Sequence, residues 1–173
     1  MTPRLRLIHG TRLLAEAELE NNARLAALLG VAVPAAWPPE SLREALPIFL
    51  ANCELSGVWG PWTLGWYVIA KTEVEPILCA SIGFKGPPTP AGMVEVGYSV
   101  LPAFQKQGIA TEALTMASRW ALDQPGVRVV EAEAASENLA SLRVLTKAGF
   151  APCGAGDEPG TRRFRLDVHA AAR

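Results

Sequence analysis

The sequence predicts an α+β fold, mixed α/β in its element order, and three observations predict it. Runs rich in β-branched and aromatic residues at 63–71, 77–84 and 93–100 are separated by short turns carrying proline and glycine, the pattern of an antiparallel meander. Apolar residues at helical spacing lie before that meander and after it. Between 93 and 110 the chain reads as a strand, a short loop with one glycine and the opening of a long Ala/Leu/Met-rich helix, and the other elements are arranged around this stretch.

Taken in order, residues 4–8 alternate polar and apolar as a half-buried strand does, and Gly10 closes it. From 12 to 29, Leu13, Leu14, Ala17, Leu25, Leu28 and Leu29 recur near helical spacing and Gly30 is the stop, which predicts one continuous helix. Pro34, Pro38 and Pro39 keep 31–39 in a loop. Pro39-Glu40-Ser41-Leu42 then opens a helix carrying Leu42, Leu46, Phe49 and Leu50 toward about residue 52. Trp59-Gly-Pro-Trp62 is a turn ahead of the strands 63–71 and 77–84, and the loop 86–92 leads into the strand 93–100. A helix over 109–122 stops at Gln124-Pro125-Gly126, a strand follows at 127–134, and a helix beginning at 136–138 runs to Ala148 with Gly149 ending it. Strands near 150–153 and 162–168, joined by the loop 154–160, complete the chain.

At 173 residues, half of them hydrophobic, the chain suits one domain, 1–173, with a sizeable core. Charged residues make up 19% and the formal net charge is -1, so no whole-protein basic field draws in nucleic acid. No apolar run approaches a membrane-spanning length and residues 1–6 lack the apolar core of a signal peptide, which places the chain in the cytoplasm. Cys53, Cys79 and Cys153 stand far apart, without a C-x-x-C pair and with only His9 and His169 as imidazole partners. They read as small buried hydrophobes, and no metal site is expected.

The loop after the strand 93–100 carries the chemistry. A helix start leaves several N–H groups without carbonyl partners at the positive end of the macrodipole, so the main chain at Gln105, Lys106, Gln107, Gly108, Ile109, Ala110 and Thr111 suits a pyrophosphate. Gly108 and Ala110 are small enough to let phosphate oxygens reach the backbone.

Gln105-x-x-Gly108-x-Ala110 after a strand resembles the Gln/Arg-x-x-Gly-x-Gly/Ala loop of the GCN5-related N-acetyltransferase (GNAT) superfamily. Gly108-Ile-Ala-Thr-Glu-Ala113 resembles its ribosomal-protein N-terminal acetyltransferase (RimJ/RimL-like) subgroup. Asn138-Leu-Ala-Ser141 on a helix ending in Gly149-Phe150 resembles the Asn-x-x-Ser block of the same subgroup, and residues 2–7 resemble its first strand. The resemblance implies a mixed, mostly antiparallel central sheet splayed between its fourth and fifth strands, 93–100 and 127–134, flanked by about four helices. It implies acetyl-CoA as co-substrate and an amine acceptor as partner, with a homodimer as the oligomeric option. Pantetheine would pair with the free strand edge near Tyr98, Ser99 and Val100, and Asn138 and Arg143 would join the loop on the coenzyme.

Acetylating an amine needs a neutral nitrogen, a stabilised oxyanion and an exit for the thiolate, and an alkyl amine with a pKa near about 10 is protonated at neutral pH. Glu95 shares a strand face with Gly97 and Ser99 and would look toward the acyl-transfer cleft, as a base or water-orienting group; the competing reading is a structural ion pair. A backbone N–H near Ser99 or Val100 would hold the oxyanion. Where many relatives carry a tyrosine four residues before the Gly of Gly-Phe, this chain has Leu145, so Ser141 is the substitute donor. Lys106, Arg143 and Lys147 would steer the phosphates. Trp37, with Trp59, Trp62 and Trp66, falls in the part of the chain that forms the acceptor side, with Trp37 and Glu95 as the acceptor-binding residues. The function expected is direct acetyl transfer in a ternary complex to a primary amine, a small molecule or a protein N-terminus. Its rivals are a non-catalytic acyl-CoA-binding module and a nucleotide binder, the latter without a G-x-G-x-x-G.

Overall fold

The computed structural model describes residues 4–57 and 60–167. Its elements are β1 (Leu5–His9), α1 (Arg12–Glu20), α2 (Asn22–Leu29), α3 (Glu40–Ser56), β2 (Trp66–Ala70), β3 (Ile77–Phe84), β4 (Met93–Val100), α4 (Ile109–Leu122), β5 (Val129–Ala135), α5 (Leu139–Lys147), β6 (Ala151–Ala155) and β7 (Thr161–Asp167). The seven strands form one sheet in the order β1-β2-β3-β4-β5-β7-β6. Every neighbouring pair is antiparallel except β4 and β5, which run parallel.

One face of the sheet packs against α4 and α5. Val68, Ile82, Phe84, Val94 and Val96 meet Ile109, Ala113, Leu114 and Ala117 of α4, and Leu145 of α5 closes the same core. Trp62 and Trp66, expected on the acceptor side, instead stack with Trp120 of α4 at ring separations of 4.7 and 4.8 Å, a core contact. The opposite face of β2 and β3 is covered by α1, α2 and the loop that follows them, through Leu14, Leu25, Leu29, Trp37, Tyr67, Ile69 and Leu78.

The helix expected over 12–29 is two helices, which makes five α-helices among the described residues. Asn21 adopts extended dihedrals (φ -173, ψ 160), donates its N–H to Ala17 O and accepts Arg24 N–H on its side chain, so it ends α1 and caps α2 in one residue. In an unbroken helix Leu25 would sit about 80° around the axis from Ala17. The break turns both onto the sheet, where each is fully buried. β2 begins later than expected because Thr63 and Leu64 donate to Gly60 O and extend the turn. Cys53 and Cys79 are buried as expected, the Cys79 thiol being pushed up to about 11 by burial, but Cys153 is exposed because β6 is an edge strand exposed along its whole length. Trp59 and His169 lie outside the described residues.

Loop 156–160 is held by one carboxylate. Glu133 accepts Arg163 Nε at 3.0 Å, both oxygens accept the Asp157 N–H at 3.0 and 3.1 Å, and Thr161 Oγ1 donates at 3.3 Å. These partners, the Arg163 hydrogen bond foremost, hold the Glu133 carboxyl below its ordinary value against an opposing effect of burial. A depressed pKa contributes stability that is complete above the unfolded value of about 4.3 and disappears as pH falls through the folded one. Glu133→Gln is therefore expected to lower Tm near neutrality and to flatten its fall at acid pH, which calorimetry over an acid series would read.

Candidate active site

β4 and β5 pair only at their beginnings, Met93–Glu95 against Val129–Glu131. Beyond that, β4 stays paired to β3 as far as Val100 and β5 to β7 as far as Ala135, so the two strands part and leave an opening in mid-sheet. Alternation decides which peptide groups face it. Lys85 N–H donates to Glu95 O at 2.9 Å and Leu101 N–H to Cys79 O at 3.0 Å, so the odd-numbered residues of β4 bond to β3. Val96, Tyr98 and Val100 turn their peptides into the opening. Ser99 differs from the expectation here: its main chain belongs to the ladder with Ser81, and only its side chain is free to contribute, on the other face.

The Val100 carbonyl accepts Gln105 Nε2 at 3.1 Å, which ties the loop back to the strand end. A 3₁₀ turn (Pro102–Phe104) leads into it, Lys106 (φ 61) and Gly108 (φ 80) both take left-handed dihedrals, and α4 starts at Ile109 with no side-chain cap. The first-turn amides are therefore open to a ligand, around exposed Gln105, Lys106, Gln107 and Gly108. Ile109 is buried in the core and Ala110 and Thr111 are half-buried, so these three offer their main chain. Arg4, ahead of β1, braces the loop by donating Nη1 to Gln107 O at 3.2 Å and Nε to Glu112 Oε2 at 2.8 Å. Sequence reasoning passed over Arg4, because no local signal marks a pairing 108 residues away.

Across the opening, Asn138 caps α5, its Oδ1 accepting Ser141 N–H at 3.0 Å. The Tyr98 hydroxyl reaches from β4 to donate to Ser141 O at 3.3 Å, and burial raises the phenol's pKa. Leu145 is 1% exposed, so no proton donor stands at that position. Arg143 and Lys147, one turn apart, line a shallow exposed groove on α5 with Leu139, Leu142 and Thr146.

The face of the opening away from α4 carries charge. Glu95 stands opposite Glu131 at the root of the splay and forms an ion pair with Lys85, the residue that follows β3, while Glu131 and Glu133 flank Arg163. Trp37, expected as an acceptor contact, is 2% exposed: its indole lies in the core and its N–H donates to Glu18 Oε1 at 2.6 Å. No described helix is long and apolar enough to cross a membrane, and the described residues contain no group of three or more His, Cys, Asp or Glu placed to hold a metal.

A mixed sheet opened beside a parallel pair, with a helix start at its mouth, is the architecture of an acetyltransferase, and residues 10–151 match the acetyltransferase (GNAT) domain. The chain belongs to the GNAT family. The uncharacterized N-acetyltransferase YjdG of Bacillus subtilis is 29% identical over 126 residues, covering 70% of this chain and 71% of that protein. Two solved structures share the fold. The ribosomal-protein-S5-alanine acetyltransferase of Vibrio fischeri has a TM-score of 0.62 at 17% identity, over 97% of this chain and 95% of its own. The microcin C7 self-immunity acetyltransferase MccE, in complex with acetyl-CoA and AMP, has 0.61 at 15%, over 96% and 93%.

Proposed function

We propose that this chain is an acetyl-CoA-dependent N-acetyltransferase that acts on a primary amine, either a small molecule or a protein N-terminus, by direct transfer in a ternary complex, as one domain in the cytoplasm. The observation that carries the reading is the free edge of β4, with the peptides of Val96 and Tyr98 and the Val100 N–H turned into the opening and ending beside the uncapped start of α4. Unpaired peptide groups cost free energy unless water or a ligand satisfies them, and an extended diamide chain with a pyrophosphate at its end satisfies both features. Acetyl-CoA would supply the activated acyl group as a thioester. Residues 105–111 would hold its phosphates, the Val100 N–H the acyl oxygen, and the hydroxyls of Ser141 and Tyr98 the sulfur end beside α5.

Glu95, with Lys85 fixing its position, orients the incoming amine through water and favours its cationic form at the site entrance. Glu95→Gln is expected to raise the acceptor KM about tenfold with little change in kcat, the signature of lost ground-state binding. The test of the function is amine-dependent release of free coenzyme A across amino acids, polyamines, aminoglycosides and peptides with free N-termini. Tight acetyl-CoA binding with no release for any amine would favour a non-catalytic acyl-CoA-binding module.

A further inference from the structure

Glu18 lies in the last turn of α1, 7% exposed, and faces the sheet. Oε1 accepts the Trp37 indole N–H at 2.6 Å and Oε2 accepts the Tyr67 hydroxyl at 2.8 Å. Both donors are neutral, and no cation pairs with it among the described residues. A buried carboxylate held by neutral donors alone is costly, and a purely structural acceptor has cheaper forms, so a carboxylate here suits a task that needs a proton acceptor. Beside it is a cavity of about 20 Å³ whose polar lining is Glu18, Tyr67 and Ser81, which is room for one water with polar partners.

From Ser81 the sheet register leads on toward the opening. Tyr67 stands directly opposite Ser81, and Ser81 directly opposite Ser99, so three hydroxyl-bearing side chains cross β2, β3 and β4 on one face. Ser99 lies between Tyr98 and Val100, the residues whose peptides open into the splay. We infer that Glu18 is the proton acceptor for the attacking amine, reached through the hydroxyls of Ser99 and Ser81 and a water held against Tyr67. This rests on the reading that an amine approaches the Ser99 face. The N–H bond of the ammonium breaks with its electron pair left on nitrogen. Ser99 takes that proton as it passes its own to Ser81, Ser81 passes one to the water, and the water delivers one to Glu18, which ends as a carboxylic acid. The hydroxyls finish unchanged, and the proton returns to solvent by the same row after transfer.

The surroundings suit the task. α3 presents Leu42 and Leu46 to the cavity, β3 presents Ser81, and Tyr67 of β2 is the titratable group among the described lining residues. Burial raises the Glu18 carboxyl above its ordinary value against the two hydrogen bonds, the direction a proton acceptor needs, and burial with the Glu18 charge keeps the Tyr67 phenol protonated. The experiment is steady-state kinetics against pH for the full chain and for Glu18→Gln, Glu18→Asp and Glu95→Gln, with acetyl-CoA affinity measured alongside. Glu18→Gln is expected to lower kcat about a hundredfold and to erase the acid limb of the profile, with unchanged acetyl-CoA affinity. Glu18→Asp, which keeps a carboxylate, should restore the limb at a reduced rate and carries the test if the glutamine variant does not fold. Folded Glu18→Gln with kcat within about twofold of wild type and the same limb would overturn the inference alone, as would loss of the limb in Glu95→Gln. No amine-dependent turnover in the wild type would overturn the reading of the function and the inference with it.

Discussion

Gly108→Val is expected to weaken acetyl-CoA binding about a hundredfold, ~2.7 kcal/mol. Gly108 sits at φ 80 immediately ahead of α4, where a side chain costs ~1–2 kcal/mol and a β-branched one more. A Cβ there would lie 3.5 Å from Arg4 Nη2, an ordinary contact, so the fold accepts the extra carbon and the penalty falls on loop conformation and ligand approach. Valine would turn the loop amides away from a common focus and fill the space a phosphate oxygen needs. Titration calorimetry reads the affinity and a thermal melt reads the fold. Unchanged affinity with a lower Tm would remove the loop from the coenzyme site. Gly108→Ala should lie between wild type and valine on both measurements.

Gly92→Ala is expected to cost ~3 kcal/mol of stability, the sum of a left-handed alanine and an overpacked backbone contact. Gly92 has φ 81, and a Cβ added to it would meet Gly126 O at 2.6 Å and Arg128 Cγ at 3.0 Å. A backbone oxygen cannot swing aside as a side-chain end can. Gly92 O also accepts the N–H groups of Arg128 at 2.8 Å and Val129 at 3.2 Å, so it joins β4 to β5 just before their short parallel pairing. Pushing Gly126 away strains the root of the splay. Denaturant unfolding should show a lower midpoint with an unchanged m-value, and acetyl-CoA affinity should fall with it because the opening is built on that root. Wild-type stability would mean that the 124–128 turn yields freely and does not set the separation of the strands.

Glu18, Arg4 and Asn21 mark the limit of what was legible in the chain. The helix over Ile109–Leu122 follows directly from a glycine before it, apolar residues at helical spacing and the Gln-Pro-Gly stop, all within one local window. The strands β3 and β4 are equally local. The break at Asn21 was not legible, because Leu13, Leu14 and Ala17 continue into Leu25, Leu28 and Leu29 closely enough for one helix, and only the sheet beneath selects two. Glu18, one of three glutamates on α1, reads as a solvated carboxylate until Trp37 and Tyr67, 19 and 49 residues on, are folded over it. Trp37 was misplaced for the same reason: its loop carries three prolines and reads as surface, yet the indole is in the core.

The sequence by itself determined the order of the strands, the helix start behind the glycine-containing loop at residues 105–111 and membership of a family, because these depend on spacing and turn chemistry among near neighbours. The tertiary structure alone decided which β4 peptides face the opening, which carboxylate is ion-paired at its edge and which is buried beneath it. Those outcomes depend on strand register and on contacts between residues remote in the chain, and no residue's own identity encodes its partner there.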